Sequence, residues 1–207
     1  MVAVPREIEI ETPQGPARAE LHPVDGPRGA LVLGHGAGGG IDAPDLVAAT
    51  AAANDAGLTV ALVLQPYRVA GRRSSPTPAR LDEAWLAAIE ELRGEALGDL
   101  PLIGGGRSAG ARVACRTAAQ TGAAGVLCLA FPVHPPGKPE KSRIEELDGV
   151  EVPVLVVQGQ SDPFGMPPDA RGRHVARVRG NHGLKADVDA VGAAVRDWLA
   201  GVELPTS

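Results

Sequence analysis

Residues 102–111 read Leu102-Ile103-Gly104-Gly105-Gly106-Arg107-Ser108-Ala109-Gly110-Ala111, and the fold is decided here. The apolar run Leu100-Pro101-Leu102-Ile103 reads as a strand, and residues 111–119 read as a helix. Between them Gly106-Arg107-Ser108-Ala109-Gly110 is a G-x-S-x-G pattern in its strand–turn–helix context, a nucleophile elbow. Such a turn strains the serine backbone and leaves no room for bulky neighbours, hence the flanking glycines. The helix N-terminus behind Ser108 offers N–H groups to a developing negative charge. The chain has 27 glycines, so a Gly/Ala-rich turn that merely contains serine is the plain alternative to this motif taken alone.

Outward from the elbow, the pattern repeats strand and helix. Residues 6–22 alternate polar and apolar, which predicts one or two edge strands broken at Pro13-Gln14-Gly15-Pro16. Compact apolar runs follow at residues 30–33, 60–64, 126–130 and 154–157, with a further strand expected at 174–178. Runs without alternation suit strands covered on both faces. Leu81, Trp85, Ala88, Ile89 and Leu92 recur at helical spacing, as do Val188, Val191, Val195 and Trp198. The order predicts an α/β fold: a mainly parallel twisted sheet with helices on both faces, as one domain over residues 1–207. Residues 66–78 and 132–139 read as loops. Between the strands at 126–130 and 154–157 there is room for at most one short helix, near residues 142–147, and for no substantial lid.

Three further segments carry chemistry. Gly34-His35-Gly36-Ala37-Gly38-Gly39-Gly40 follows the strand at 30–33. A loop of this kind supplies one N–H to an oxyanion hole, and the residue after the nucleophile supplies the other. The expected donors are Ala37, with Gly38 as second choice, and Ala109. The same stretch fits a dinucleotide fingerprint, G-x-G-x-x-G. That reading requires an acidic residue at the end of the next strand, where the chain has Leu64-Gln65-Pro66, and a place in the first βαβ unit, whereas strand-like sequence precedes it. Asp162 lies just beyond a late strand, in Gln158-Gly159-Gln160-Ser161-Asp162-Pro163-Phe164-Gly165, and His182 lies in Arg179-Gly180-Asn181-His182-Gly183 before the last helix. Alone, the first is an ordinary turn aspartate and the second a solvated loop histidine. Together they complete the chain order Ser108, Asp162, His182, the Ser…Asp…His order of α/β-hydrolases.

The chain resembles the α/β-hydrolase superfamily, near the small dienelactone-hydrolase-like enzymes, and more narrowly lidless bacterial proteins related to an animal testis-expressed hydrolase-like protein. The narrower resemblance rests on Gly105-Gly106-Arg107-Ser108-Ala109-Gly110-Ala111-Arg112, on Phe131-Pro132-Val133-His134-Pro135-Pro136-Gly137-Lys138-Pro139 and on the segment at 158–165. It runs from about residue 28 to the end. Some animal relatives serve as complex subunits, so the resemblance implies the fold more than a substrate.

The expected activity is that of a serine hydrolase on a small ester, lactone or thioester. Ser108 is the nucleophile, His182 the base and Asp162 its orienter, with no metal or organic cofactor. His134, at the end of a strand where open sheets bind ligands, is a candidate pocket residue; its flanking prolines also fit a rigid turn. Arg72 and Arg73, on the loop at 66–78, are candidates to meet a substrate carboxylate. The competing class is a non-catalytic binding protein of the same fold, which usually loses a triad residue. Aromatics make up 2% of the 207 residues and the net charge is −5, against nucleic-acid binding. The opening Met1-Val2-Ala3-Val4-Pro5-Arg6-Glu7 has no apolar leader core, and no run is long enough to span a membrane. Two cysteines, Cys115 and Cys128, make no disulfide framework or zinc pair. The expectation is a cytoplasmic monomer or small homo-oligomer acting on a small molecule.

Overall fold

The chain begins with an antiparallel pair, β1 (Arg6–Ile10) and β2 (Ala17–His22), turning near Gly15 at φ 100°. The structure, a computed structural model, describes residues 4–205, so Met1-Val2-Ala3 of the N-terminus read above lie outside the described residues. In β1 the exposed Glu7 and Glu9 alternate with the buried Ile8 and Ile10, as a strand covered on one face requires.

The remaining strands are β3 (Gly29–Gly34), β4 (Leu58–Leu64), β5 (Leu102–Arg107), β6 (Gly125–Leu129), β7 (Val154–Gly159) and β8 (Arg173–Val178). All eight form one sheet in the order β1-β2-β4-β3-β5-β6-β7-β8. β2 meets β4 antiparallel, and every later neighbour is parallel. β3, β6 and β7 are buried along their whole length, as continuous apolar runs predict.

Alternate residues feed opposite cores. Leu31 and Leu33 join Leu46 of α1 (Pro44–Asp55) and Val191 and Val195 of α6 (Val188–Gly201) on one face. Val32 joins Trp85 and Ile89 of α3 (Pro78–Leu92) on the other. There α4 (Ala109–Thr121) and α5 (Ile144–Asp148) extend the cover over Cys128, Phe131 and Val156. The fold is an α/β-hydrolase fold, and residues 131–153 carry only the short α5, so there is no substantial lid. No helix among the described residues is long and apolar enough to cross a membrane.

Four local readings need correction. Helix α1 had no counterpart in the apolar pattern, because alanines take five of its twelve positions and blur any stripe. The loop at 66–78 opens with a helical turn, α2 (Pro66–Val69). Helix α5 starts two residues later than expected, at Ile144. The strand before the elbow begins at Leu102 and runs through the glycines to Arg107. Glycine is a poor strand former, but at two of these positions only glycine fits: a Cβ on Gly105 would stand 2.5 Å from the Leu127 carbonyl oxygen, and one on Gly106 2.6 Å from that of Gly34. The tight packing of the three central strands therefore overrides local propensity.

Candidate active site

Ser108 sits where β5 turns into α4, at φ 51° and ψ −108°. A non-glycine residue at positive φ is strained by about 1–3 kcal/mol and persists only where its surroundings hold it. Two features do so. The Ser108 N–H donates to the Leu129 carbonyl at 2.8 Å, and α4 begins at the next residue.

His182, on the loop between β8 and α6, brings its Nε2 to 2.9 Å from Ser108 Oγ. Its Nδ1 lies 2.8 Å from Asp162 Oδ2. A carboxylate can only accept, so Nδ1 carries the proton and Nε2 presents its lone pair to the serine hydroxyl. Asp162, on the loop after β7, has a fully buried side chain. Its Oδ1 accepts the Phe164 N–H at 2.8 Å, and its Oδ2 accepts from Gln158 Nε2 at 2.9 Å. Phe164 also stacks on the His182 ring, with centroids 4.0 Å apart. The imidazole is thus held at one edge and on one face.

The glycine-rich loop after β3 lies against the elbow: a Cβ on Gly36 would stand 3.6 Å from Ser108 Cβ. Gly39 N–H bonds to the Gly36 carbonyl at 3.1 Å, which puts Ala37 and Gly38 at the central positions of the turn, outside its own hydrogen bond. Ala109 opens α4, so its N–H has no intrahelical acceptor. His35 pins this loop. Its Nε2 accepts the Gln65 N–H at 3.0 Å, which leaves the proton on Nδ1 to donate to the Gly36 carbonyl at 2.8 Å. Burial holds the His35 pKa below the usual histidine value, in keeping with a neutral ring. Tyr67 adds a second pin, donating to the Ala37 carbonyl at 2.8 Å.

His134, Arg72 and Arg73, the candidate substrate contacts, lie outside the hydrogen-bonded chain of Asp162, His182 and Ser108. His134 lies over the Asp162 loop: its N–H donates to the Phe164 carbonyl at 3.0 Å, and its Nε2 would meet a Cβ on Gly165 at 2.7 Å. The imidazole bonded to Ser108 is that of His182. Arg72 lines a cavity of about 580 Å³ with Gln14, Tyr67 and Arg80, and neither Ser108 nor His182 is among its walls. Arg73 is exposed on the same loop.

Sequence reading gave no role to Gln158, Tyr67, Phe164, Asp45 or Arg107. Gln158 is completely buried, and its Nε2 faces the carbonyls of Phe131 and Gly165 at 3.0 and 2.8 Å as well as Asp162. A glutamine at a strand end was the one local signal available for it. The Arg107 side chain reaches Asp45 and the His182 carbonyl. Nothing in the sequence connects those three positions.

A strained serine on an elbow, bonded to a carboxylate-held imidazole at the carboxyl edge of a mainly parallel sheet, is the arrangement of α/β-hydrolases. The family model described as alpha/beta hydrolase domain matches residues 27–186, most of the chain, and the chain belongs to that family of hydrolases. Comparison with curated proteins returned no match. Among solved structures, the chain is similar to an alpha-beta serine hydrolase homologue from Coxiella burnetii, with a TM-score of 0.76 at 15% identity, covering 96% of this chain and 99% of that one. It is similar to an a/b serine hydrolase without lid from Xanthomonas campestris, with a TM-score of 0.73 at 19% identity and coverage of 98% and 96%. A dienelactone hydrolase from Anabaena variabilis gives a TM-score of 0.75 at 16% identity and coverage of 96% and 98%. At these identities the shared property is the fold.

Proposed function

We propose that this protein is a serine hydrolase that cleaves small esters, lactones or thioesters through an acyl-enzyme. The observation that carries this reading is the chain of two hydrogen bonds from Asp162 through His182 to Ser108, at 2.8 and 2.9 Å. Ser108 Oγ attacks the substrate carbonyl carbon as His182 Nε2 takes its proton. The imidazolium, stabilised by Asp162, then protonates the leaving group as the carbonyl–leaving-group bond breaks. Water attacks the acyl-enzyme, again giving its proton to His182, and Ser108 departs with that proton restored. The N–H groups of Ala109 and Ala37, with Gly38 adjoining, receive the oxyanion; one such donor contributes about 3–4 kcal/mol.

The absence of a substantial lid favours short acyl groups, which need little apolar cover. In this reading His134 borders the substrate, and Arg72 or Arg73 meets a carboxylate carried by a short acyl group. The protein acts as one domain, a monomer or small homo-oligomer, in the cytoplasm, where its two free, buried thiols stay reduced. A fluorophosphonate should label Ser108 alone, and Ser108→Ala should abolish both labelling and turnover of p-nitrophenyl acetate. Unchanged hydrolysis by Ser108→Ala would refute the assignment.

A further inference from the structure

Arg107 immediately precedes Ser108, and its guanidinium touches three separate parts of the site. Nε lies 3.1 Å from Asp45 Oδ2, at the start of α1. Nη2 donates to the His182 backbone carbonyl at 3.0 Å. Nη1 lies beside the glycine-rich loop, 2.8 Å from where a Cβ on Gly36 would stand.

Asp45 is completely buried, and its Oδ1 accepts the Leu46 N–H at 3.1 Å. Its Oδ2 has no aligned hydrogen-bond donor, so the Arg107 charge is its main compensation. Burial pushes the Asp45 carboxyl above the usual range, opposed by Arg107. A buried ion pair of this kind adds little net stability compared with an apolar pair. Its value lies in geometry, because a planar guanidinium directs its donors along fixed vectors.

Much of the other bonding of the histidine loop is internal. Leu184 N–H bonds to the Asn181 carbonyl, Gly183 N–H to Asn181 Oδ1, and Arg179 to the Ala186 carbonyl. Contacts from Ser161 to the Gly180 carbonyl join it to the Asp162 loop. Arg107 therefore ties the backbone of His182 directly to the residue that precedes the nucleophile.

We infer that Arg107, anchored by Asp45, is a positioning residue. It sets the distance between His182 Nε2 and Ser108 Oγ and holds the Gly36 turn against the elbow, without touching substrate. This rests on the serine-hydrolase reading and adds two residues, Arg107 and Asp45, to those that support the triad. A lysine at 107 could meet Asp45 as a point charge but could not donate to the His182 carbonyl along the same fixed fork.

The test compares wild type with Arg107→Lys, using fluorophosphonate titration to count competent sites. Saturating label should reach full stoichiometry at Ser108 in Arg107→Lys. Its kcat for p-nitrophenyl acetate per labelled site should fall roughly 10–100-fold, the scale of a small misplacement of catalytic groups. KM should stay within about twofold, because uniform substrate binding is untouched. In Arg107→Ala, added guanidinium should restore part of the lost kcat per labelled site while labelling stoichiometry stays full, whereas a merely structural role would show as lost stoichiometry. If Arg107→Lys fails to fold, Asp45→Asn/Arg107→Gln, which removes both charges, carries the same comparison. A kcat per labelled site within twofold of wild type in a folded variant overturns the inference. Failure of wild type to label at Ser108 overturns the serine-hydrolase reading instead, so the two failures are distinguishable.

Discussion

Asp162→Asn should inactivate the protein, because of what its two carboxylate oxygens accept. Oδ1 takes the Phe164 N–H, while Oδ2 takes Gln158 Nε2 and His182 Nδ1, at 2.8, 2.9 and 2.8 Å. Asparagine has one acceptor oxygen and one donor NH₂, so one of these faces must meet donor with donor. If the NH₂ turns toward Phe164, that N–H loses its partner, a loss of about 1–3 kcal/mol. If it turns toward His182, Nδ1 must accept, and the ring proton moves to Nε2, facing Ser108 Oγ. A ring in that tautomer cannot take the serine proton. Gln158 cannot relieve the conflict by turning its own amide, because its oxygen would then face the carbonyls of Phe131 and Gly165. The expected loss in kcat is about 10³–10⁴-fold, near the effect of imposing the wrong tautomer in a triad. At about 1.36 kcal/mol per decade this is roughly 4–5.5 kcal/mol of transition-state stabilisation. Steady-state hydrolysis of p-nitrophenyl acetate reads the rate, and ¹⁵N spectra of His182 read the tautomer. A variant within tenfold of wild type, or one inactive with its Nδ1 still protonated, would refute the tautomer argument.

Gly106→Ala should not fold stably, because its Cβ would stand 2.6 Å from the Gly34 carbonyl oxygen and 2.7 Å from the Gly110 carbonyl carbon. Both obstacles are backbone, so the loss in thermal unfolding should reach or exceed the roughly 3 kcal/mol upper range of ordinary overpacking. His35 is held neutral by burial, so its folded pKa lies below its unfolded value of about 6.5. The unfolded chain then binds more protons, and this contribution is complete above that value and is lost as pH falls below it. Urea unfolding at about pH 7.5 and about pH 5.5 should show wild type losing more stability on acidification than His35→Gln. The shifted Asp45 acts in the opposite direction, but it is common to both proteins and cancels in the comparison. Across acetate, butyrate, octanoate and palmitate esters, kcat/KM should not rise toward the long chains, since each methylene in an open site gains less than the roughly 0.8 kcal/mol of full burial. A clear rise toward palmitate would contradict the open site.

What the amino-acid sequence determined by itself is what short-range geometry controls. A serine in a strained turn demands glycines within two residues, so Gly106 and Gly110 mark Ser108 without any tertiary information. Continuous apolar runs separated by helical periodicity mark a mainly parallel sheet, and the order of Ser108, Asp162 and His182 selects the fold. Where that local logic weakened, so did legibility. The alanines of α1 carry no stripe, and the glycines at 104–106 read as turn although they continue β5.

Tertiary structure alone decided which distant groups meet. The strand order sets β3 between β4 and β5, which brings the Gly36 turn beside Ser108, Gln65 beside His35 and Tyr67 beside Ala37. Asp45 and Arg107 are 62 residues apart in sequence, yet their charges neutralise each other in a buried site. Gln158 looks like any polar residue ending a strand until folding surrounds its amide with three acceptors. Hydrogen-bond and charge partners across such separations leave no periodicity in the chain, because their spacing is set by how elements stack in space and not by the geometry of any one element.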